Sequence, residues 1–136
     1  MITLYQISAS TSGIVFGTGN KIEDFGVGFY TKYGDGGVDI SPIADCTKSQ
    51  IWDMGKHLNI LEDIQMAEPT DGLWSDGRTD TTQLGLTYKQ IEHLMDRPTE
   101  AGYEKYLEIR KKNLHKMKAI PVCKFDGKEN LASNTD

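Results

Sequence analysis

Two glycine-rich stretches of the sequence combine residue types that could bind phosphate or a metal ion. The first, residues 17–20 (Gly-Thr-Gly-Asn), directly follows an apolar run at residues 14–16. Glycine-rich turns at the carboxyl end of a parallel strand commonly bind phosphate in α/β proteins. Because position 22 is Ile, the G-x-G-x-x-G motif is incomplete. A plain strand-to-helix turn is therefore the favoured interpretation of this stretch taken alone.

The second stretch, residues 31–39, places one cation and two carboxylates among three glycines. The carboxylates of Asp35 and Asp39 could hold Mg²⁺ or provide a general base. Lys32 could pair with a phosphate or a carboxylate of a ligand. The same pattern is equally typical of a Gly-Asp-Gly-Gly turn that precedes a strand, so the residues alone leave both interpretations open.

Three further basic residues are weaker candidates. Lys48 lies in the first turn of a predicted helix, where a cation opposes the helix dipole. A ligand phosphate near Lys48 and Thr70 would account for this misfit, although a solvated lysine is the simpler interpretation. His115 and Lys116 lie near the end of a basic helix, where a charged, solvated face is the more common outcome.

The elements that must position these residues are short strands and helices. Residues 14–16 are typical of a strand buried on both faces, as in a parallel sheet. Residues 39–43 indicate a second short strand, which Pro42 ends. Apolar spacing predicts helices at residues 2–11, at residues 48–58 with Asn59 closing the helix, at residues 61–66, after Thr87, and from Thr99 onward.

Two helix starts carry capping boxes, formed by Thr47 with Gln50 and by Thr87 with Gln90. Between the capped helices, residues 67–86 are rich in glycine and aspartate and show little periodicity. This pattern predicts a long loop, which in a compact domain is usually a functional lid or is disordered.

The composition argues against several classes of protein. A length of 136 residues suits one domain, or part of one. A net charge of −5 disfavours broad binding to nucleic acid or to anionic membranes, and no apolar run approaches the ~18 residues of a membrane span. Two cysteines without a CxxC motif and three dispersed histidines disfavour a disulfide scaffold and a zinc site. A reducing compartment such as the cytoplasm is expected.

In their order along the chain, these stretches resemble the ammonia-dependent NAD⁺ synthetases. The likeness runs from about residue 2 to about residue 125. The matching segments are residues 17–23, 29–39, 42–48, 68–74, 80–88 and 115–121. The resemblance implies an α/β, Rossmann-like adenine-nucleotide alpha-hydrolase fold, represented here by short parallel strands and several helices. It also implies a cytoplasmic homodimer.

The resemblance further implies a reaction. A ligase of this family adenylates the nicotinate carboxylate of deamido-NAD⁺ with ATP and Mg²⁺ and releases pyrophosphate. Ammonia then displaces AMP and forms the amide of NAD⁺. The chemistry is sensible because a carboxylate accepts a nucleophile poorly until one of its oxygens becomes a phosphoanhydride leaving group.

Carried over position by position, the resemblance assigns ATP contacts to Thr18, Lys48 and Thr70. Glu23 matches the Mg²⁺ ligand, and one extra residue between Glu23 and Lys32 makes Asp24 the alternative ligand. The remaining matches are the deamido-NAD⁺ contacts and the acid beside the ammonia site: Lys32, Asp39, His115 and Lys116 for the substrate, and Asp35 for ammonia.

The most serious departure from the family pattern is that the sequence has no Ser-Gly-Gly-x-Asp-Ser phosphate loop. We therefore expect residues 1–125 to be the carboxyl-terminal part of a synthetase domain, residues 126–136 to be a mobile polar tail, and the chain alone to be inactive. The alternatives are a domain of a glutamine-dependent NAD⁺ synthetase and a non-catalytic module for nucleotide binding or dimerisation.

Overall fold

The computed structural model describes residues 1–124, which are mostly helical. The elements in chain order are α1 (Ile2–Thr11), a π-helix (Ile22–Val27), α2 (Lys48–His57), α3 (Glu62–Met66), α4 (Asp80–Leu84), α5 (Tyr88–Met95) and α6 (Tyr103–Met117). Among these residues, no helix is both long and apolar enough to cross a membrane. The predicted mobile tail, residues 126–136, lies outside the described residues.

The hydrophobic core lies where the π-helix packs against α5 and α6. Ile22 and Val27 of the π-helix and Ile91 of α5 are completely buried. Burying such side chains contributes roughly 1.5–3 kcal/mol each. The other buried members of this cluster are Leu84, Leu86, Tyr88, Leu94 and Tyr106. The core therefore fixes the π-helix, which also carries two of the predicted site residues.

Both predicted capping boxes are confirmed. The Thr47 side chain accepts the Gln50 N–H, and the Gln50 side chain accepts the Thr47 N–H in return. The same exchange joins Thr87 and Gln90 at the start of α5. These reciprocal bonds satisfy backbone donors that a helix start otherwise leaves unpaired. Residue Asn59 adopts a positive φ of 53° just beyond the end of α2, as expected for a residue that closes a helix.

The predicted parallel strands are reduced to a single bridge between Phe16 and Ile40. Its hydrogen bonds run from Gly17 N–H to the Ile40 carbonyl, at 2.7 Å, and from the N–H of Asp39 to the Val15 carbonyl, at 3.0 Å. The expectation of burial on both faces is wrong for this chain, because Phe16 is 59% exposed and only Val15 of the apolar run is buried. Parallel strands depend on neighbours along both edges and both faces, and none of the other described residues supplies them.

One helix boundary also differs from the predictions, and two helices were not predicted. The last helix begins at Tyr103 rather than at Thr99, because Gly102 directly before it takes a left-handed conformation with φ of 94°. The long loop at residues 67–86 contains α4, which starts with a capping box between Thr79 and Thr82. The π-helix was not predicted at all.

Side chains of α6 donate hydrogen bonds to the carbonyl groups at the end of the π-helix. Arg110 donates to Phe25 and Gly26, Asn113 to Val27, and Lys116 to Gly28 and Tyr30. The three donors are spaced three residues apart, which places them along one side of α6. The sequence favoured a solvated face for this basic helix. Instead, α6 holds the π-helix by donating to backbone carbonyls that the π-helix leaves unpaired.

We predict that Arg110→Met lowers the free energy of unfolding by about 1–2 kcal/mol, because two backbone carbonyls lose a charged donor. Lys111→Met is the matched control, since Lys111 is exposed on the same helix. Urea unfolding of both variants and of the unchanged chain measures the difference. Equal losses in the two variants would contradict this role for Arg110.

Candidate functional site

A small cavity of about 140 Å³ gathers predicted site residues from separate parts of the chain. Thr18 comes from the glycine-rich turn, Glu23 and Asp24 from the π-helix, Asp35 from the second glycine-rich stretch, and Thr70 from the loop before α4. Its remaining lining residues are Gly19, Phe29, Tyr30, Asp71 and Asp80. Convergence of this kind is expected of residues that share one ligand.

Glu23 is held by several hydrogen bonds at this cavity. Its Oε2 accepts the N–H of Asn20 at 3.1 Å, and its Oε1 lies 2.7 Å from the Tyr88 hydroxyl and 3.4 Å from Lys48 Nζ. Asn20 is itself buried, and its side-chain oxygen accepts the N–H groups of Ile22 and Glu23. The Asn20 side chain therefore caps the π-helix and brings Glu23 to a defined position.

The charge of Lys48 has a partner within the chain. The Lys48–Glu23 pair is largely buried, with side-chain exposures of 20% and 18%. Lys48 Nζ also lies 4.9 Å from the centre of the Tyr88 ring, within the range of a cation–π interaction. The misfit of a lysine in the first turn of a helix is thus offset by Glu23.

Asp24 lies directly against Gly19. A Cβ atom at position 19 would collide with the Asp24 carboxyl group, so glycine is needed there for close approach rather than for an unusual backbone angle. Partial burial, followed by repulsion from Glu23 and Asp35, raises the pKa of Asp24 to about 6. Gly19 of the glycine-rich turn and Asp24 of the π-helix are thus in direct contact.

A larger cleft of about 830 Å³ adjoins the small cavity and includes Lys32, Asp35 and Lys116. Lys32 Nζ donates to the backbone carbonyl of His115 at 3.0 Å. Burial lowers the pKa of Lys116, and the charge of Asp35 partly opposes that shift. Asp35 lines both cavities, and its Oδ1 accepts the Thr31 N–H at 2.8 Å. Asp35 therefore faces both spaces, as does Asp24, which also lines the cleft and the small cavity.

Two predicted substrate contacts line neither of these cavities. Asp39 accepts the N–H of Val15 at 2.8 Å and the hydroxyl of Tyr5 at 3.3 Å, so in this structure it ties the bridge region to α1. His115 is exposed on α6 and contributes only its backbone carbonyl, to Lys32.

The sequence did not identify Asp80 and Tyr88 as site residues. Asp80 is 5% exposed, and its Oδ1 is buried with no hydrogen-bond partner among the described residues. Its Oδ2 lies 2.7 Å from the Tyr88 hydroxyl. Burial raises the pKa of Asp80, while this hydrogen bond opposes the rise. Both residues fall inside a matching segment, yet nothing in their local pattern reveals the contact between them and Glu23.

No group of three or more His, Cys, Asp or Glu side chains among residues 1–124 is arranged to hold a metal ion by itself. Mg²⁺ commonly uses only one or two protein carboxylates and completes its shell with phosphates and water. The adjacent carboxyl groups of Glu23 and Asp24 suit that arrangement.

A family profile described as NAD synthase matches residues 1–130. The chain belongs to the NAD synthase family. This family member is 43% identical over 95 residues to the NH(3)-dependent NAD(+) synthetase of Carboxydothermus hydrogenoformans, an alignment that covers 70% of the chain and 38% of the relative. It is 36% identical over 123 residues to the enzyme of the same description from Thermoplasma acidophilum, covering 85% of the chain and 50% of the relative.

Solved structures give the same family. The chain superposes on the NMN synthetase of Francisella tularensis with a TM-score of 0.83 at 33% identity, covering 91% of this chain and 52% of that one. It superposes on the NH3-dependent NAD synthetase of Campylobacter jejuni with a TM-score of 0.64 at 25% identity, covering 91% and 51%. The chain thus spans about half of these structures. Their likeness is consistent with the expected Rossmann-like fold.

The raised pKa of Asp24 predicts that ionising this residue destabilises the native state as pH rises from 3.8 through about 6. In metal-free buffer Asp24→Asn should therefore increase the free energy of unfolding at neutral pH by about 1–2 kcal/mol, a figure already reduced for solvent screening. The gain should shrink as pH falls and vanish below pH ~3, where Asp24 is protonated in both the folded and the unfolded state.

Urea unfolding measured across this pH range tests the prediction, with Asp53→Asn as the control because Asp53 is exposed on α2. A gain from Asp24→Asn that is the same at every pH would contradict it.

Proposed function

We propose that this chain is part of an ammonia-dependent NAD⁺ synthetase, a ligase that converts deamido-NAD⁺ to NAD⁺ with ATP and ammonia. The observation that carries the proposal is the cavity where Thr18, Glu23 and Thr70 meet from three segments. Relatives described as NH(3)-dependent NAD(+) synthetases support it through their sequence identity. Ligands, partners and activity of the whole protein are part of this proposal, because the chain spans about half or less of those relatives.

In the proposed site, ATP is bound by Thr18, Lys48 and Thr70, and Glu23 holds Mg²⁺ with Asp24 as the alternative ligand. When bound, the metal would offset the negative charge of the departing pyrophosphate. Lys48 lies next to Glu23 and also lines a cavity with Thr70, which is the placement that a phosphate contact needs.

The larger cleft is the proposed place for deamido-NAD⁺. Lys32 and Lys116 are its cationic lining residues, and cations there suit the phosphates of a dinucleotide. Asp39 and His115 complete the set of proposed contacts. Because they lie outside the cleft in this structure, their contribution would depend on the position of the bound substrate.

Asp35 is the proposed catalytic residue. It lines both the small cavity and the larger cleft, and only its Oδ1 is engaged in a hydrogen bond among the described residues. A carboxylate at this position can attract ammonium and accept one of its protons, which leaves neutral ammonia to attack the adenylated carboxyl carbon. The bond from that carbon to the AMP oxygen then breaks, AMP leaves, and the nitrogen gives its extra proton to water, so that the amide remains on the substrate.

The similarity to the NMN synthetase of Francisella tularensis supports a second candidate, since its TM-score of 0.83 exceeds the 0.64 of the Campylobacter jejuni enzyme. In that case the carboxylate to be amidated belongs to nicotinate mononucleotide. The two candidates share the chemistry and differ in the size of the substrate.

The test of function compares these substrates in the full-length protein that contains this chain. ATP, Mg²⁺ and either ammonium or glutamine are supplied with deamido-NAD⁺ or with nicotinate mononucleotide, and the amide product is measured. A higher kcat/KM for deamido-NAD⁺ supports the leading proposal, and the reverse supports the second. No amide from either substrate would support a non-catalytic module, and turnover only with glutamine would support the glutamine-dependent alternative.

We also propose that the protein works as a cytoplasmic homodimer without nucleic-acid or membrane partners. The net charge of −5 supports the proposal that nucleic acids and anionic membranes are not partners. The dimer rests on the family resemblance, and sedimentation of the full-length protein at micromolar concentration would test it.

We predict that Asp35→Asn in the full-length protein slows amide formation by roughly 10²–10⁴-fold, because the variant lacks both the charge and the basicity. ATP affinity should change little, and higher pH should partly restore the rate because more free ammonia is then present. NAD⁺ formation and ATP binding are measured across pH. Asp45→Asn is the control, since the Asp45 side chain is 96% exposed. Loss of ATP affinity together with turnover would place Asp35 in the nucleotide site instead.

A further inference from the structure

We propose that Tyr88 is a positioning residue that fixes Glu23 and Lys48 relative to each other. This inference rests on the proposed function, in which Glu23 holds Mg²⁺ and Lys48 contacts ATP. Tyr88 itself touches neither ligand in this scheme. Its role is to bring two ligand-binding groups from distant segments into one fixed arrangement before the nucleotide binds.

Tyr88 lies between the charged side chains of Glu23, Lys48 and Asp80. Its hydroxyl oxygen lies 2.7 Å from Oε1 of Glu23 and 2.7 Å from Oδ2 of Asp80, while its ring lies 4.9 Å from Lys48 Nζ. The residue is 4% exposed and packs among the core residues of the π-helix, α5 and α6. One rigid side chain thus contacts three charged groups that lie at least 25 residues apart along the chain.

Lys48 does not stabilise the start of its own helix, where the helix dipole favours an acid rather than a base. An acid is already present there, because the Glu92 carboxylate accepts both the N–H and the hydroxyl of Ser49, at 2.9 and 2.8 Å. A lysine side chain has considerable rotamer freedom, which must be lost for it to hold a phosphate. The Tyr88 ring and Glu23 restrict that freedom in advance.

The hydroxyl group of Tyr88, rather than the ring, contacts Glu23, and it restrains Oε1 while Asn20 holds Oε2. A phenol has a single proton and donates to one carboxylate at a time. Phenylalanine at position 88 would keep the ring near Lys48 but leave Glu23 without this hydrogen bond. It would also leave the buried Asp80 carboxyl without its partner, since Oδ1 of Asp80 already has none among the described residues.

Outer partners of a metal ligand typically change metal affinity by 10–100-fold when they are removed. We therefore expect Tyr88→Phe to raise the Mg²⁺ concentration needed for half-maximal ATP binding by about 10–100-fold. ATP affinity at saturating Mg²⁺ should change much less, because Lys48 keeps its contact with the aromatic ring. A general loss of stability would not raise the Mg²⁺ requirement while leaving ATP affinity at saturating Mg²⁺ nearly unchanged.

The experiment is a calorimetric titration of the full-length protein with ATP at a series of Mg²⁺ concentrations, without deamido-NAD⁺ or ammonium. Tyr106→Phe is the matched control, because Tyr106 is also 4% exposed and belongs to the same core cluster. It should show the Mg²⁺ requirement of the unchanged protein. An unchanged requirement in Tyr88→Phe, or the same rise in both variants, would overturn the proposal.

A double variant separates a positioning role from a merely structural one. If the hydroxyl acts through Glu23, then adding Tyr88→Phe to Glu23→Gln should raise the Mg²⁺ requirement no further than Glu23→Gln alone. Two independent, multiplying increases would overturn the proposal.

Loss of folding in Tyr88→Phe has a specific remedy. Replacing both members of a buried polar pair with apolar groups can leave the stability nearly unchanged. The double variant Tyr88→Phe with Asp80→Leu therefore removes the buried carboxyl group that Tyr88→Phe alone leaves without a partner. This pair should show the same 10–100-fold rise in Mg²⁺ requirement, and a normal requirement would overturn the proposal. NAD⁺ formation is assayed separately in the unchanged protein, so failure of the proposed function and failure of the Tyr88 proposal are seen in different measurements.

Discussion

The candidate site depends on the position of the π-helix Ile22–Val27. Such a helix is rare and short, and its backbone needs support from its surroundings. Here the support comes from both ends: Asn20 caps the start, while donors on α6 satisfy the carbonyls at the end. Because its first and last residues are completely buried, the carboxylates of Glu23 and Asp24 are carried to the cavity by an element that cannot shift without disturbing the core.

The same packing concentrates negative charge. Five acids line the small cavity, whereas the nearby cation Lys48 already interacts with Glu23. Neighbouring carboxylates oppose one another's ionisation, and the raised pKa of Asp24 is the result. A bound cation would offset this repulsion. Among the described residues, no group of three or more His, Cys, Asp or Glu side chains is arranged to hold a metal ion by itself. The proposed use of ATP with Mg²⁺ follows the same electrostatic logic.

Helix α6 links the core to the larger cleft. Lys116 donates to two backbone carbonyls after the π-helix and also lines the cleft, while Lys32 is held by a carbonyl of α6. The cations proposed to receive the substrate therefore belong to the same packing that positions Glu23 and Asp24, the proposed metal ligands. Family membership is established by the profile match. Because α6 contacts both the cleft residues and the end of the π-helix, a shift of α6 would affect the cleft and the small cavity together.

The sequence alone determined those features whose causes are local. The helices α1, α2, α3 and α5 follow from apolar spacing and capping boxes, since each signal acts within a few residues. The ordered motifs also indicated the family and named five of the ten residues that line the small cavity, namely Thr18, Glu23, Asp24, Asp35 and Thr70. Tertiary structure alone decided the π-helix, the reduction of two strands to one bridge, and the roles of Asp80 and Tyr88. Each of these features depends on partners that are distant in the sequence. The π-helix needs donors on α6 for its carbonyl groups, and the strands need neighbouring strands. The Tyr88 hydroxyl contacts Glu23 and Asp80 only where the π-helix, α4 and α5 pack together.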